Sequence, residues 1–338
     1  MLEHGGQLKA AARLWGRPED QWLDLSTGIN PWNWPVPPLP ADVWQRLPEQ
    51  EDGLESAQTA YYQSTQGLAL PGSQAAIPLL PQLLFAYQER AKIGVALLDP
   101  AYREHWQAWQ QAGYLCHPVA ADRIDDWLLQ NPTTRVLLLV HPNNPTGAVF
   151  DSRDLYRWLS LLQERDGYLI VDEAFMDATP QQSLLQETLP EGLVVLRSLG
   201  KFFGLAGLRL GFVFARPWLL QKMAQHLGPW AVSHPARYLG KLALQDQHWQ
   251  EVTRVRLHLA SQQLSELLTQ AGLPPAGGTA LFQWTPTPEA GQLAEFMAER
   301  GLLVRFFAET VSLRWGLPGS PEAWQRLETA LNEWRTRR

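Results

Sequence analysis

A single cysteine, Cys116, occurs among 338 residues, so no disulfide can form within the chain. That excludes the disulfide-stapled secreted scaffolds and fits a reducing cytosol. Basic residues are not in surplus either. The 28 Lys and Arg stand against 34 Asp and Glu, and a net charge of -6 gives no electrostatic footprint for nucleic acid. No run approaches the roughly 20 apolar residues of a membrane span. The opening Met1-Leu2-Glu3-His4-Gly5-Gly6-Gln7 carries an acid early and lacks the apolar core of a signal peptide. Repeats are absent. The one biased stretch, Pro31 to Pro40, is rich in Pro and Trp, cannot be helix, and reads as an extended connector. Neither a nucleic acid nor a membrane is expected as partner, and no metal is expected.

What is present is an ordinary globular composition, 45% hydrophobic and 18% charged, at a length that fits a large domain plus a smaller one. Tryptophan is frequent, 16 in all, and Trp106, Trp109, Trp127, Trp158 and Trp249 fall in helix-like patterns that suit core or interface filling. From about residue 70 to 215, short apolar runs alternate with amphipathic stretches. The runs are 94–98, 136–140, 168–171, 193–196 and 210–214. Strands apolar at every position, separated by helices, indicate an α/β fold with a mostly parallel sheet covered on both faces. After about residue 217 a charged helical region, Pro235 to Gln270, is followed by the runs 280–284, 302–306 and 311–315 and a last amphipathic helix. These describe a smaller α+β domain, to which Trp22–Ser26 can add a strand. The large domain is expected over 35–232 and the small one over 1–34 and 233–338.

The first four runs end in residues unusual for plain loops: Asp99-Pro100-Ala101-Tyr102, His141-Pro142-Asn143-Asn144, Asp172-Glu173, and Ser198-Leu199-Gly200-Lys201. In open α/β sheets, ligands bind outside the carboxyl ends of the strands, so these tips predict one converging site. Lys201 is the most informative residue among them. An ammonium placed between glycines at the end of a buried strand needs a reason, and a neutral amine there can condense with an aldehyde cofactor and later carry protons. The plainer alternative is a solvated loop lysine. Burial beside the cationic Arg209 is expected to lower its pKa. Asp172 ends a buried strand, where an isolated carboxylate is costly; a helix cap or buried salt bridge would also account for it. Glu173 reads as structural. Gly72-Ser73-Gln74 opens an apolar stretch, and such a turn offers backbone N–H groups and a positive dipole end to a phosphate. Pro78 and Pro81 make the helix that comes after it irregular or kinked, with no reason visible in the sequence. Arg314 and Arg305 lie in apolar strand-like segments and suit an anion, although a surface salt bridge would serve equally well for Arg305.

In order and spacing, these segments resemble the fold-type I pyridoxal-phosphate enzymes of the class I/II aminotransferase superfamily. The features are a Gly-Ser loop, an aromatic after a proline, Asn144-Pro145-Thr146-Gly147, Asp172-Glu173-Ala174-Phe175, Ser198-Leu199-Gly200-Lys201, Arg209 and a late arginine. The resemblance implies pyridoxal 5'-phosphate as cofactor, with Lys201 as its covalent anchor and Asp172 at the ring nitrogen. Asn144 would serve the phenolic oxygen and Tyr102 would stack on the ring. Gly72, Ser73, Gln74, Ser198 and Arg209 would take the phosphate, and Arg314 a substrate carboxylate. It also implies a homodimer.

His4-Gly5-Gly6 and Leu23-Asp24-Leu25-Ser26-Thr27-Gly28-Ile29-Asn30-Pro31 resemble, within that superfamily, the threonine-phosphate decarboxylases of cobalamin biosynthesis, relatives of histidinol-phosphate aminotransferase. Two departures from the aminotransferase pattern agree with this. Phe175 replaces a tyrosine and cannot give a phenolic hydrogen bond. Leu47, in Arg46-Leu47-Pro48, replaces a tyrosine that reaches across to the neighbouring subunit. The implied substrate is a small phosphorylated amino acid, held by Arg305 and Arg314 with His4, Gly28, Asn30 and Asn144. An aminotransferase with the same cofactor site is the alternative.

Overall fold

Runs that are apolar at every position have no face to give to water, and in the computed structural model of the chain they form the centre of a sheet. The structure describes residues 4–337. In chain order the described strands are β1 (Leu23–Leu25), β2 (Gly67–Leu70), β3 (Gly94–Leu98), β4 (Leu115–Val119), β5 (Thr134–Val140), β6 (Tyr168–Asp172), β7 (Leu193–Ser198), β8 (Gly211–Phe214), β9 (Gly277–Thr279), β10 (Phe282–Pro286), β11 (Leu302–Phe307) and β12 (Ser312–Gly316).

By its internal contacts the chain divides into two units. One comprises Trp34–Asn144 and Ala148–Gln250; the other comprises the chain up to Asn33, Pro145–Gly147, and the chain from Glu251 onward. The sequence drew the later edge at residue 232. It falls at Gln250 because the helix His234–Gln245 packs along the helix Leu54–Tyr62 and stays with the larger unit.

The larger unit holds a seven-stranded sheet in the order β2-β8-β7-β6-β5-β3-β4. β3 to β7 run parallel, and β8 runs against both of its neighbours. β3 and β8 are buried throughout, and β5, β6 and β7 at all but one residue each. Helices cover the faces, as strands without a polar side require. The sequence reading passed over β2 and β4. Both lie at the sheet's edges and are only partly buried, and β4 carries Pro118, which an edge strand tolerates.

The prolines that the sequence left unexplained have local reasons. Pro78 lies in the first turn of the helix Ala76–Leu83, where N–H groups have no partner within the helix. Pro81 removes one helical bond near the end, and the Tyr114 hydroxyl serves the carbonyls of Pro81 at 2.8 Å and Leu84 at 2.7 Å. The long helical stretch is two helices, His234–Gln245 and Gln247–Gln270. They part at Asp246, whose carboxylate accepts the N–H of Trp249 at 3.1 Å as a helix cap and the Trp34 indole N–H at 3.0 Å.

The smaller unit contains a five-stranded sheet in the order β1-β11-β12-β10-β9, in which β1 pairs parallel with β11 and the remaining pairs are antiparallel.

One buried cluster ties the tips of β6 and β7 together. Arg197, 1% exposed, sends one guanidinium nitrogen to Glu173 at 2.6 Å and another to Asp177, both carboxylates being 0% exposed. Glu173 also accepts Ser183 Oγ–H at 2.6 Å and the Leu184 N–H at 2.8 Å. The guanidinium lies 4.8 Å from the Tyr62 ring centroid. Burial pushes the Glu173 carboxyl upward, and Arg197 opposes that. Glu173 comes directly after Asp172 and Arg197 directly before Ser198, so the cluster sets how those two site residues are presented. Arg197→Met, which strands two buried carboxylates, is expected to cost about 3–5 kcal/mol, read from urea unfolding; a loss below about 1 kcal/mol would show that the cluster does not brace the sheet.

Candidate active site

In the larger unit the expected residues gather at the carboxyl ends of the parallel strands. Asp172 ends β6 and is 5% exposed. Its Oδ2 lies 2.9 Å from His105 Nε2, and its Oδ1 accepts the Ala174 N–H at 3.1 Å. A carboxylate so held is fixed in orientation and cannot turn away from the space over the strand ends. His105 was missed by the sequence reading. It lies in the helix Arg103–Gln111, three residues after Tyr102, and looks in sequence like any helix residue. Its signal, one turn of helix from an expected site aromatic, is readable only once β6 is known to lie opposite.

Tyr102 donates its hydroxyl to Gln74 Oε1 at 3.1 Å, and Gln74 Nε2 donates to Glu104 at 3.4 Å. This links the phosphate-type loop to the aromatic. Burial, then the carboxylates of Glu104 and Asp172, hold the Tyr102 phenol well above its usual range, while Arg209 pulls the other way. Tyr102, Asp172 and Arg209 therefore share one electrostatic neighbourhood.

Gly72 takes φ +80°, and a Cβ built on it would lie 2.6 Å from Arg209 Nη2. Only a glycine lets the guanidinium lie against the turn that opens Ser73–Ala75. Arg209 itself has φ +55° and ψ +51°, a left-handed conformation that non-glycine residues seldom adopt outside functional sites. A backbone turn presenting N–H groups, with an exposed arginine laid against it, could hold a phosphate.

Lys201 lies just past β7 and carries its Nζ 5.4 Å from the Phe175 ring centroid. The expectation of a lysine buried beside Arg209 needs correction. Lys201 is half-buried and Arg209 is exposed. Ser198 Oγ accepts the Gly200 N–H at 3.3 Å and so shapes the turn that carries Lys201. Asn144 is half-buried. Its neighbour Asn143, which the sequence reading did not single out, is 1% exposed and donates to the Pro100 carbonyl at 2.8 Å, joining the tips of β5 and β3.

The smaller unit brings together its own set. Arg305 and Arg314 are direct partners across the antiparallel pair β11–β12. Arg314 is 6% exposed, and its Nη2 donates to the Ser26 carbonyl at 2.6 Å. Burial, then Arg305, push the Arg314 guanidinium down to about 10, with Asp24 opposing; it stays charged at neutral pH. Two like charges side by side are unfavourable until an anion lies between them. Ser26 is also the anchor of the His4-Gly5-Gly6 strap. Its Oγ accepts the Gly6 N–H at 2.7 Å and donates to Asp24 at 2.6 Å. A side chain at Gly5 would collide with the Ser26 carbonyl. His4 is exposed and Gly28 is buried. Asn30, 2% exposed, accepts the Trp32 N–H at 2.9 Å through its Oδ1, a local turn that fixes the side chain.

The chain matches the family Aminotransferase class I and II over residues 47–331 and belongs to it. Its relatives include a threonine-phosphate decarboxylase of Pseudomonas aeruginosa, 49% identical over 331 residues that cover 98% of this chain and 97% of the relative. A threonine-phosphate decarboxylase of a Sinorhizobium species is 40% identical over 98% of this chain and 97% of its own. Among solved structures, the histidinol-phosphate aminotransferase of Sinorhizobium meliloti in complex with pyridoxal-5'-phosphate superposes with a TM-score of 0.81, covering 99% of this chain and 96% of that one at 18% identity.

His141 lies just past the end of β5, is 0% exposed and accepts the Phe150 N–H on Nδ1 at 3.2 Å. Burial pushes its pKa down to about 4, against a smaller upward pull from the Gln182 backbone. The unfolded chain, with an ordinary histidine near 6.5, binds the extra proton first as pH falls. Stability is therefore complete above about pH 6.5 and declines toward pH 4, by up to about 3 kcal/mol from this group. Urea titrations at pH 7 and pH 5 should show that His141→Asn, which keeps an acceptor for Phe150, flattens the dependence; an equal slope in both proteins would assign it elsewhere.

Proposed function

We propose that this chain is a pyridoxal-phosphate-dependent decarboxylase that converts L-threonine O-3-phosphate to (R)-1-aminopropan-2-ol phosphate and CO₂ in cobalamin biosynthesis, acting as a cytoplasmic homodimer. The near full-length likeness to relatives of that name supports the reaction. The geometry that carries the reading is the Arg305–Arg314 pair, two cations in register with one of them buried, which suits a phosphate dianion better than a single carboxylate. No described helix is long and apolar enough to cross a membrane.

The residues of the larger unit fit the cofactor. The space that a Cβ at Gly72 would occupy is taken by Arg209, so the loop 72–74 with Ser198 and Arg209 can hold a phosphate. Lys201 provides the amine for covalent attachment. Asp172, oriented by His105 and the Ala174 N–H, would keep a proton on the ring nitrogen. Tyr102 provides an aromatic face, and Asn144 an amide for the phenolic oxygen. When bound, pyridoxal phosphate supplies an electron-accepting ring conjugated with the substrate's Cα.

The chain's own residues decide which bond at Cα breaks. With the arginine pair, and with His4, Gly28 and Asn30 as further donors, engaged by the substrate phosphate, the α-carboxylate is not gripped and is free to leave. An aminotransferase holds that carboxylate instead. Lys201 then delivers the proton that replaces CO₂ at Cα.

Incubation with carboxyl-labelled L-threonine O-3-phosphate should release labelled CO₂. Amino transfer to 2-oxoglutarate without labelled CO₂ would overturn the proposal in favour of an aminotransferase. Arg314→Ala is expected to raise KM for threonine phosphate by about 10²-fold or more, as removal of a buried charge partner does, whereas an unchanged KM would remove the arginine from the substrate site. Lys201→Ala should abolish the borohydride-fixed cofactor label on the peptide containing residue 201, seen by mass spectrometry; a retained label would assign attachment to another lysine.

A further inference from the structure

We infer that Phe175 is a specificity-determining residue, whose ring holds Lys201 in its ammonium form and so commits it to giving a proton to Cα rather than taking one. The inference rests on the decarboxylase reading. Phe175 is 4% exposed, and its ring centroid lies 5.4 Å from Lys201 Nζ, within the range at which a π face attracts a cation. The ring is fixed, because Phe175 lies in the segment that the Arg197–Glu173–Asp177 cluster holds on both sides.

The two chemistries ask opposite things of this amine. Amino transfer begins when a neutral amine removes the proton from Cα. In decarboxylation the bond between Cα and the carboxylate carbon breaks, CO₂ leaves, and the electron pair stays with the organic fragment. One proton must then reach Cα. An ammonium supplies it and becomes a neutral amine, so atoms and charge balance, and an ammonium cannot abstract the competing Cα proton. Among the other ionisable groups at the strand tips, His105 is bound to Asp172, and Tyr102 is kept protonated by its burial and by the carboxylates of Glu104 and Asp172. The uncharged Phe175 ring adds a bias toward the ammonium that no loss of a proton can remove. A phenol in its place would keep the face but add a hydroxyl able to bind elsewhere.

The test reads the amine itself. The pH dependence of Lys201 acylation in the full chain freed of cofactor, tracked by mass spectrometry of its peptide with Lys9 as internal reference, gives the Lys201 pKa. Phe175→Leu, close in volume but without a π face, should lower that pKa by about 0.5–1 unit, and Phe175→Tyr should leave it in place. In the loaded Leu variant the share of threonine phosphate consumed by amino transfer rather than CO₂ release should rise, by up to about tenfold. An unchanged Lys201 pKa in the Leu variant overturns the inference, whatever the activity. A lowered pKa in a protein that releases no CO₂ from threonine phosphate would instead sink the decarboxylase reading and leave the ring's hold on Lys201 standing.

Discussion

The larger unit depends on a guanidinium that water never reaches. Arg197 lies between Glu173 and Asp177 in the apolar interior, and burying one cation with two carboxylates is tolerable because each carboxylate takes a guanidinium nitrogen and Glu173 also accepts the Ser183 hydroxyl and the Leu184 N–H. The cost is accepted at the place where two parallel strands stop. Parallel strands leave their last carbonyls and side chains pointing into the same space, but nothing in the ladder itself fixes the loops beyond it. The cluster does so, and Asp172 and Ser198 are its immediate neighbours in the chain.

Around that brace, four polar groups at the strand ends are each held by a second one. Asp172 has His105 and a backbone N–H, Tyr102 has Gln74, Gln74 has Glu104, and Asn143 has the Pro100 carbonyl. Side chains restrained in this way lose little further freedom when a ligand arrives, which is what preorganisation means in energetic terms. In the smaller unit a different balance holds. There the Arg305–Arg314 pair is a repulsion built into the strand register, relieved in part by Asp24 and the Ser26 carbonyl. A ligand that brings two negative charges gains most from such a site.

The fold was readable where it rests on local pattern. The buried strands β3, β5, β6, β7 and β8 were visible because continuous apolar runs have few alternatives, while β2 and β4 were not, since a half-solvated edge strand carries a mixed pattern and a proline. The break at Asp246 was missed because a capping aspartate differs from an ordinary surface aspartate only in the N–H groups that the folded backbone turns toward it. Of the candidate site, Lys201, Asp172, Tyr102, Asn144, Arg209 and the loop at Gly72 stood out through the strand-end pattern and the family resemblance, but the assumption that Lys201 is buried beside Arg209 did not survive, since Lys201 is half-buried and Arg209 exposed.

The sequence alone determined the order of buried runs and turn residues, and with it the class of fold and the residues at its strand ends. Both are written at short range, in side-chain periodicity and backbone preference. Only the tertiary structure decided that His105 meets Asp172, that Arg197 joins Glu173 to Asp177, that Phe175 faces Lys201, and that Arg305 stands opposite Arg314. Those pairings depend on strand order, register and the angle at which a helix crosses the sheet, and these are set by the packing of the whole core rather than by any segment within it.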